Sequence, residues 1–486
     1  MPIANRTLTG VSSVPRIAPN GVVPRYSRTG GVGGGGSVVL AGAGFTLSPL
    51  ASAALTVMSG GADDPNYRYV NPAASAGGNG RTWKTTSTDG THALAALPAT
   101  PTRGLTYWLA DGSYGSRTFS TADSGTTLIQ IRKATIASHG TSDGWSDAYG
   151  DGEAVFTKVT FTTGNWVWDG TKGGGPGSWT TGFGFRIAQT NDHSLEFMPT
   201  SGSRTNVTCR HFSIIGTRNQ TAGADAIRIG NIEPYTVSNF TCSYYYLDQI
   251  SLCPFLLAPG TNNGATNLVF EYGYIGVYGD LSNAIHSEIA SIWAGANNVT
   301  FRHNVFTYVY STGGIIYDSQ GSAGGLFIYG NVWIKRAGGA TWDYPNGIIG
   351  SWGNGEVFSN VKVYNNSFID ITPASGSGSI LGSSGVLGAG NEFRNNMIVN
   401  CPDTGIGSRL FQTQTHNHFI NSGASGGTNA STGTGDPFTD KANLIFTLVA
   451  PTPAGYSSLA VPYNTDPLGA LRGQDGTWDR GAYEFT

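Results

Sequence analysis

The sequence predicts an all-β chain wound as a parallel β-solenoid, and three observations carry that prediction. Glycine supplies 72 of the 486 residues, about twice average usage, which argues against a mainly helical protein. A short segment pattern recurs every 27 to 35 residues through the middle of the chain, where 21 of the 33 asparagines lie between residues 201 and 400. Within that pattern Asn304, Asn331, Asn366 and Asn396 fall at one fixed position in four successive repeats.

Residues 1–62 stand outside the repeat. They carry the glycine run from Gly30 to Gly36 and then a stretch of small and apolar residues from Val38 to Ala54. The run lacks the Gly-Lys-Ser/Thr ending of a phosphate-binding loop, so a flexible linker behind a short N-terminal arm is expected. The first residues, Met-Pro-Ile-Ala-Asn-Arg, stay polar and do not read as a secretory leader.

The second expected unit spans residues 63–421. Seven segments stack within it, beginning at Asn206, Asn239, Asn267, Asn298, Gly325, Asn360 and Gly390. Their fourth positions are Cys209, Cys242, Phe270, Phe301, Ile328, Val363 and Phe393. Apolar residues alternate here with period two, which excludes ankyrin and tetratricopeptide helices, and no leucine ladder is present. A coil of three short strands fits the repeat length. Three residues past the aligned position sit Asn304, Asn331, Asn366 and Asn396. A sharp bend favours a residue that tolerates left-handed backbone, as Asn does. Amides stacked ~4.8 Å apart can bond into a ladder. Gly273 holds that place one coil earlier, and Phe212 and Tyr245 hold it in the first two coils. Residues 422–486 form the third unit, an irregular segment expected to cover strand edges at the open end.

Composition narrows the function classes. With 27 basic and 30 acidic side chains and no Lys/Arg cluster, no nucleic-acid partner is expected. No apolar run reaches the ~20 residues of a membrane span. Cys209, Cys242, Cys253 and Cys401 form no CxxC pair and read as small buried hydrophobes.

The repeats and their asparagine column resemble the right-handed parallel β-helix proteins of the pectate-lyase type. Tyr69-Val70-Asn71-Pro72, Trp83 and the stretch from Gly104 to Tyr114 are similar to the opening segment of bacterial members. There, residues 91–97 would form the short cap helix. Asp479-Arg-Gly-Ala-Tyr-Glu-Phe485 is similar to their closing signature. The resemblance spans residues 66–486 and implies the fold alone, because lyases, hydrolases, epimerases, adhesins and phage spikes share it.

Chemistry on such a solenoid belongs on the outer face of one sheet, where successive coils bring side chains into a row. The strand before each aligned segment contains Ile227, Ile285, Ile316 and Ile349. With these four pointing inward, Arg228, His286, Glu288, Tyr317, Ser319 and Trp352 share one outer face. Elimination from a uronic acid needs a cation against the carboxylate and a base for the C5 proton. Arg228 would be the cation, and His286 or Tyr317 the base, with Glu288 beside them. Hydrolysis needs two carboxylates ~5–9 Å apart, for which only Glu288 and an inward-facing Asp318 are near. If the protein is an enzyme, a lyase is therefore favoured over a hydrolase. Trp352, Ser319 and Tyr317 are candidate carbohydrate contacts.

The same side chains also read without chemistry. Arg228 can be a solvated cation, His286 and Glu288 a simple pair, and Tyr317 and Trp352 cover for adjacent coils. His193, His211, His303, His416 and His418 lack metal-site spacing and read as surface or turn residues. No cofactor is expected; Ca2+, which wants clustered carboxylates, would find only Glu288 and Asp318. Residues 286–293 and 298–304 resemble the alginate-lyase and chondroitinase B family, with Trp293 or a neighbour where that family's catalytic Lys would stand.

The N-terminal arm with its glycine hinge resembles the anchoring segment of phage spikes and fibres. The leading expectation is a virion-surface or extracellular structural β-helix protein that binds a polysaccharide or cell-surface receptor. It would join other virion or assembly proteins through residues 1–62 and form a homotrimer. The alternatives are a secreted lyase or hydrolase acting on a uronic-acid polymer, and a bacterial adhesin or filament subunit.

Overall fold

A computed structural model describes residues 64–486, apart from 190–191, 219–223, 231–234, 259–263, 280–286, 294, 308–312, 318–321, 336–347, 352–354, 372–379, 382–385, 403–410 and 424–425. The expected arm and linker at 1–62 lie outside the described residues, as do His286, Asp318, Ser319 and Trp352.

The chain is a right-handed parallel β-helix. Through the middle of the described residues, successive coils each contribute one strand to each of three parallel strand stacks, called sheets A, B and C here. Sheet A contains the aligned segments. Its inner column runs through Cys209, Cys242, Phe270, Phe301, Ile328, Val363 and Phe393 in continuous register. Sheet B follows it around one corner, as in Tyr274–Ile275, Val305–Phe306 and Val332–Ile334. Sheet C closes the coil with Leu195–Phe197, Ile227–Ile229, Phe255–Leu257, Glu288–Ile292, Gly313–Tyr317 and Ile349–Ser351. The aligned positions fill the core because every coil buries the same register position against the coils beside it. The Phe270 and Phe301 rings, for example, stack 5.0 Å apart. Burying one such ring contributes about 1.5–3 kcal/mol. All four cysteines are buried and free.

The asparagine column is a buried ladder with one rung more than the repeat pattern suggested. The side-chain Nδ2 of Asn304 donates to Asn331 Oδ1 at 3.0 Å, Asn331 to Asn366 at 3.0 Å, and Asn366 to Asn396 at 3.0 Å. Asn396 donates in turn to Asn417 at 3.2 Å. At the lower end Tyr245 Oη donates to Asn304 Oδ1 at 2.8 Å, and the Gly273 N–H donates to the same oxygen at 2.9 Å. A Cβ on Gly273 would sit 2.1 Å from the Tyr245 ring. Glycine is needed there for space, not for a left-handed turn.

The bend is carried one residue before the ladder. Tyr244, Tyr272, His303, Gly330, Asn365, Asn395 and His416 have φ between 53° and 64°, whereas the ladder asparagines are absent from the positive-φ set. Left-handed tolerance therefore does not explain the ladder; the amide's paired donor and acceptor do. It does explain the residues that open the segments. Asn206, Asn239, Asn267 and Asn298 have φ of 61°, 53°, 57° and 52°. They form a second, outer amide chain that begins at Asn165.

One expectation needs correction here. Residues 91–97 form no helix; Leu94 makes an isolated parallel bridge to Val70, and Tyr69, Trp83, Trp108 and Ala134 pack with Trp145 in a cluster separate from the main core. The C-terminal segment adds the strand Ser431–Gly433 beside His418–Ile420 and then folds back along the side of the helix. Phe438, Phe446, Leu448, Ala482 and Tyr483 pack on Val305, Val332, Ile369 and Val399, the outward apolar residues of sheet B. The closing signature anchors it: Arg480 Nη1 donates to Asn417 O at 3.1 Å, the Ala482 N–H to Ser367 Oγ at 3.0 Å, and buried Glu484 pairs with Arg472 at 3.3 Å.

Candidate functional site on sheet C

The register of sheet C settles which expected residues face outward. Ile227 pairs with Phe255, Phe255 with Ala290, Ala290 with Ile315, and Ile315 with Ile349. Ile315, not Ile316, is thus the inward residue of its strand. A slip of one residue reverses every side chain after it. Tyr317 consequently points into the core. It is 4% exposed, its ring meets Phe358 edge-on at 4.7 Å, and burial pushes its pKa well above the ordinary phenol value. It can serve neither as base nor as sugar platform. Glu288 is also on the core side, 1% exposed, and its Oε2 accepts from the Cys253 thiol at 3.3 Å. The expected outward row of Arg228, Glu288 and Tyr317 is not formed.

Arg228 remains, and it faces outward. It lies level with Glu196 on one side and Leu256 on the other, and Thr160 lies level with Glu196 one coil further down. Its Nη1 stands 2.8 Å from His193 Nε2. A guanidinium can only donate, so Nε2 accepts and the neutral ring carries its proton on Nδ1. That nitrogen stands 3.1 Å from Asp225 Oδ2, which accepts. The Asp225 N–H, 3.2 Å from the same nitrogen, then has no lone pair to meet there. Asp225 is buried; desolvation raises its pKa, and His193 and the Cys253 N–H counter the rise. A polar chain thus runs from half-buried Arg228 through His193 and Asp225 to Cys253 and Glu288.

A second charge group adjoins it. Lys158 Nζ lies 2.6 Å from Asp192 Oδ2 and 3.1 Å from Glu196 Oε2, and Thr160 donates to the same Glu196 oxygen at 2.9 Å. Burial would lower the Lys158 pKa, but the two carboxylates outweigh it and leave it raised.

Asp192, His193 and Glu196 have donor atoms within 4.8 Å of one another. They do not fit a resident calcium ion. One donor is an imidazole already held by Arg228 and Asp225, and the Lys158 ammonium occupies the space between the carboxylates. Of the two carboxylates expected for calcium, Glu288 is turned toward Cys253 and Asp318 lies outside the described residues.

His193, Asp225, Glu196 and Lys158 were not singled out by sequence spacing. One signal was available. Leu195-Glu196-Phe197 and Ile227-Arg228-Ile229 share an apolar–polar–apolar pattern one coil apart, which places Glu196 and Arg228 side by side.

No family model matches the chain, and no curated protein matches it in sequence. Among solved structures it is similar to pectate lyase Pel9A, with 14% identity, a TM-score of 0.45, and 88% of this chain and 98% of that one covered. It is also similar to the GH136 lacto-N-biosidase from Eubacterium ramulus, with 12% identity, a TM-score of 0.39, and 75% and 66% covered. These likenesses concern the coiled architecture.

Proposed function

We propose that the chain is a glycan-binding β-helix protein that holds an acidic polysaccharide along the outer face of sheet C, with Arg228 taking the carboxylate of a uronic acid. The observation that carries this reading is the guanidinium itself. It is oriented from behind by the His193–Asp225 pair, and its Nε is buried without an acceptor among the described residues. Orienting an arginine this way lowers the entropic cost of engaging an anion. Among the described residues, binding without turnover fits the arrangement better than elimination. Tyr317 is removed to the core, His193 is engaged on both nitrogens, and Lys158 is bound by two carboxylates. In the finer form of the proposal, the chain works at a virion surface or another extracellular surface, and residues 1–62 attach it to its assembly; the glycine run between arm and coils supports that part.

The test is a panel of uronic-acid polysaccharides titrated against wild type and Arg228→Gln, with ultraviolet absorbance followed for unsaturated products. Loss of one charge-assisted contact, about 1.5–3 kcal/mol, should weaken binding about tenfold to a hundredfold. Growing absorbance would replace this reading with that of a lyase. Unchanged binding in Arg228→Gln would refute it.

A further inference from the structure

We propose a second ligand site, for a carboxylated saccharide, in a groove at the last coils of sheet A. It lies five coils beyond Arg228, about 24 Å along the axis at ~4.8 Å per coil, and does not share its residues.

The groove has a volume of about 580 Å³ and is bounded by Arg394, by the strand Thr413–Thr415 and by the turn at 426–428. Small-ligand pockets span roughly 300–1,000 Å³ and are mostly apolar. This one has the size with a mixed lining: among the described residues that line it, only Phe411 brings an apolar side chain. Hydroxyls, amides and backbone edges on such walls suit a sugar. The turn is close by necessity, since a Cβ on Gly427 would meet the Gln414 carbonyl oxygen at 2.4 Å.

Arg394 sets the charge preference. Its Nε donates to Glu392 Oε2 at 2.5 Å, and its guanidinium lies over the Tyr456 ring at 4.6 Å. Both contacts leave the two terminal amino groups without an acceptor among the described residues. A guanidinium held flat on a ring, with its terminal N–H groups open, is shaped to receive a carboxylate. Glu392 does not cancel that charge. It also accepts from Lys362 Nζ at 2.7 Å and from Tyr364 Oη at 2.8 Å, so one carboxylate faces two cations. Burial would raise the Glu392 pKa, but these donors outweigh it and hold the group ionised. The Thr413 hydroxyl has no protein partner among the described residues and lines the same groove, ready for a sugar hydroxyl.

The experiment is calorimetric titration of the full chain carrying Arg228→Gln, so that the fate of the sheet C site does not affect the readout. The probes are trigalacturonate and its carboxyl-reduced, neutral counterpart. Trigalacturonate should bind with one class of site, and adding Arg394→Gln should weaken it at least tenfold. Arg394→Lys, which keeps the charge but not the fork, should fall between. Thr413→Trp fills the groove from the strand position level with Glu392 and leaves the Arg394 side chain in place, and should abolish binding even if Arg394→Gln disturbs folding. Equal binding of the neutral trimer, no binding in the Arg228→Gln chain, or full binding with Thr413→Trp would each overturn the proposal.

Discussion

Replacing Asn366 by Ala tests what the ladder contributes. The side chain is fully buried. Its Oδ1 accepts from the Asn331 N–H at 3.1 Å and from Asn331 Nδ2 at 3.0 Å, and its Nδ2 donates to Ile328 O, Tyr364 O and Asn396 Oδ1. Two groups keep a partner in the variant: Asn331 Nδ2 still reaches Phe301 O, and Asn396 Oδ1 still accepts the residue 366 N–H. The Asn331 N–H loses its acceptor and the Ile328 carbonyl loses a donor. An orphaned buried group costs about 1–3 kcal/mol, so the substitution should destabilise these coils by about 2–6 kcal/mol. Coil stability in a solenoid is a sum of neighbour terms, so the loss should be local. Hydrogen exchange read by mass spectrometry should show lost protection in the strands Ser322–Tyr329 and Val357–Tyr364 before the first coils respond. The control is Asn298→Gly in the outer amide chain. It removes one exposed amide bond at a position with φ of 52°, where glycine is at ease, and should cost under about 1 kcal/mol. If both variants lose the same protection, the buried ladder is not the stabilising element argued here.

Gly273→Ala forces a methyl against the Tyr245 ring and should cost about 3 kcal/mol, read as a lower Tm; adding Tyr245→Leu should restore most of it, and no rescue would refute the steric account. Acidification should weaken the fold through His303. Burial, then Arg302 and Arg472, hold its pKa well below the ordinary value, so the unfolded chain takes up the proton first. Stability should fall as pH drops below ~6.5, by up to about 1.4 kcal/mol per pH unit. His211, His416 and His418 act in the same direction, whereas Asp466 and Glu484, both raised by burial, act oppositely at lower pH. His303→Asn keeps a residue suited to φ of 57°, and its Tm should depend less steeply on pH between 7 and 5; an unchanged slope would remove His303 from the account.

The core column was legible because one register position is buried in every coil, so selection for apolar residues repeats with the coil. Cys209 through Phe393 appear in the structure in the order and register in which they stack on paper. The face of the third strand was not legible in the same way. Ile315 and Ile316 are adjacent and apolar, and either could point inward by pattern; pairing with Ala290 and Ile349 chooses Ile315 and buries Tyr317. Asparagine marked both amide chains but not which one turns the backbone, because tolerance of left-handed backbone and side-chain pairing favour the same residue type.

The sequence by itself determined the coil, since period-two burial at intervals of about 30 residues leaves few other ways to hide one apolar face. Only the tertiary structure decided the chemistry on its surface. His193, Asp225 and Arg228 lie up to 35 positions apart in the chain and meet because coils of unequal length stack by strand register, and the turn lengths that absorb the difference carry no periodic signal of their own.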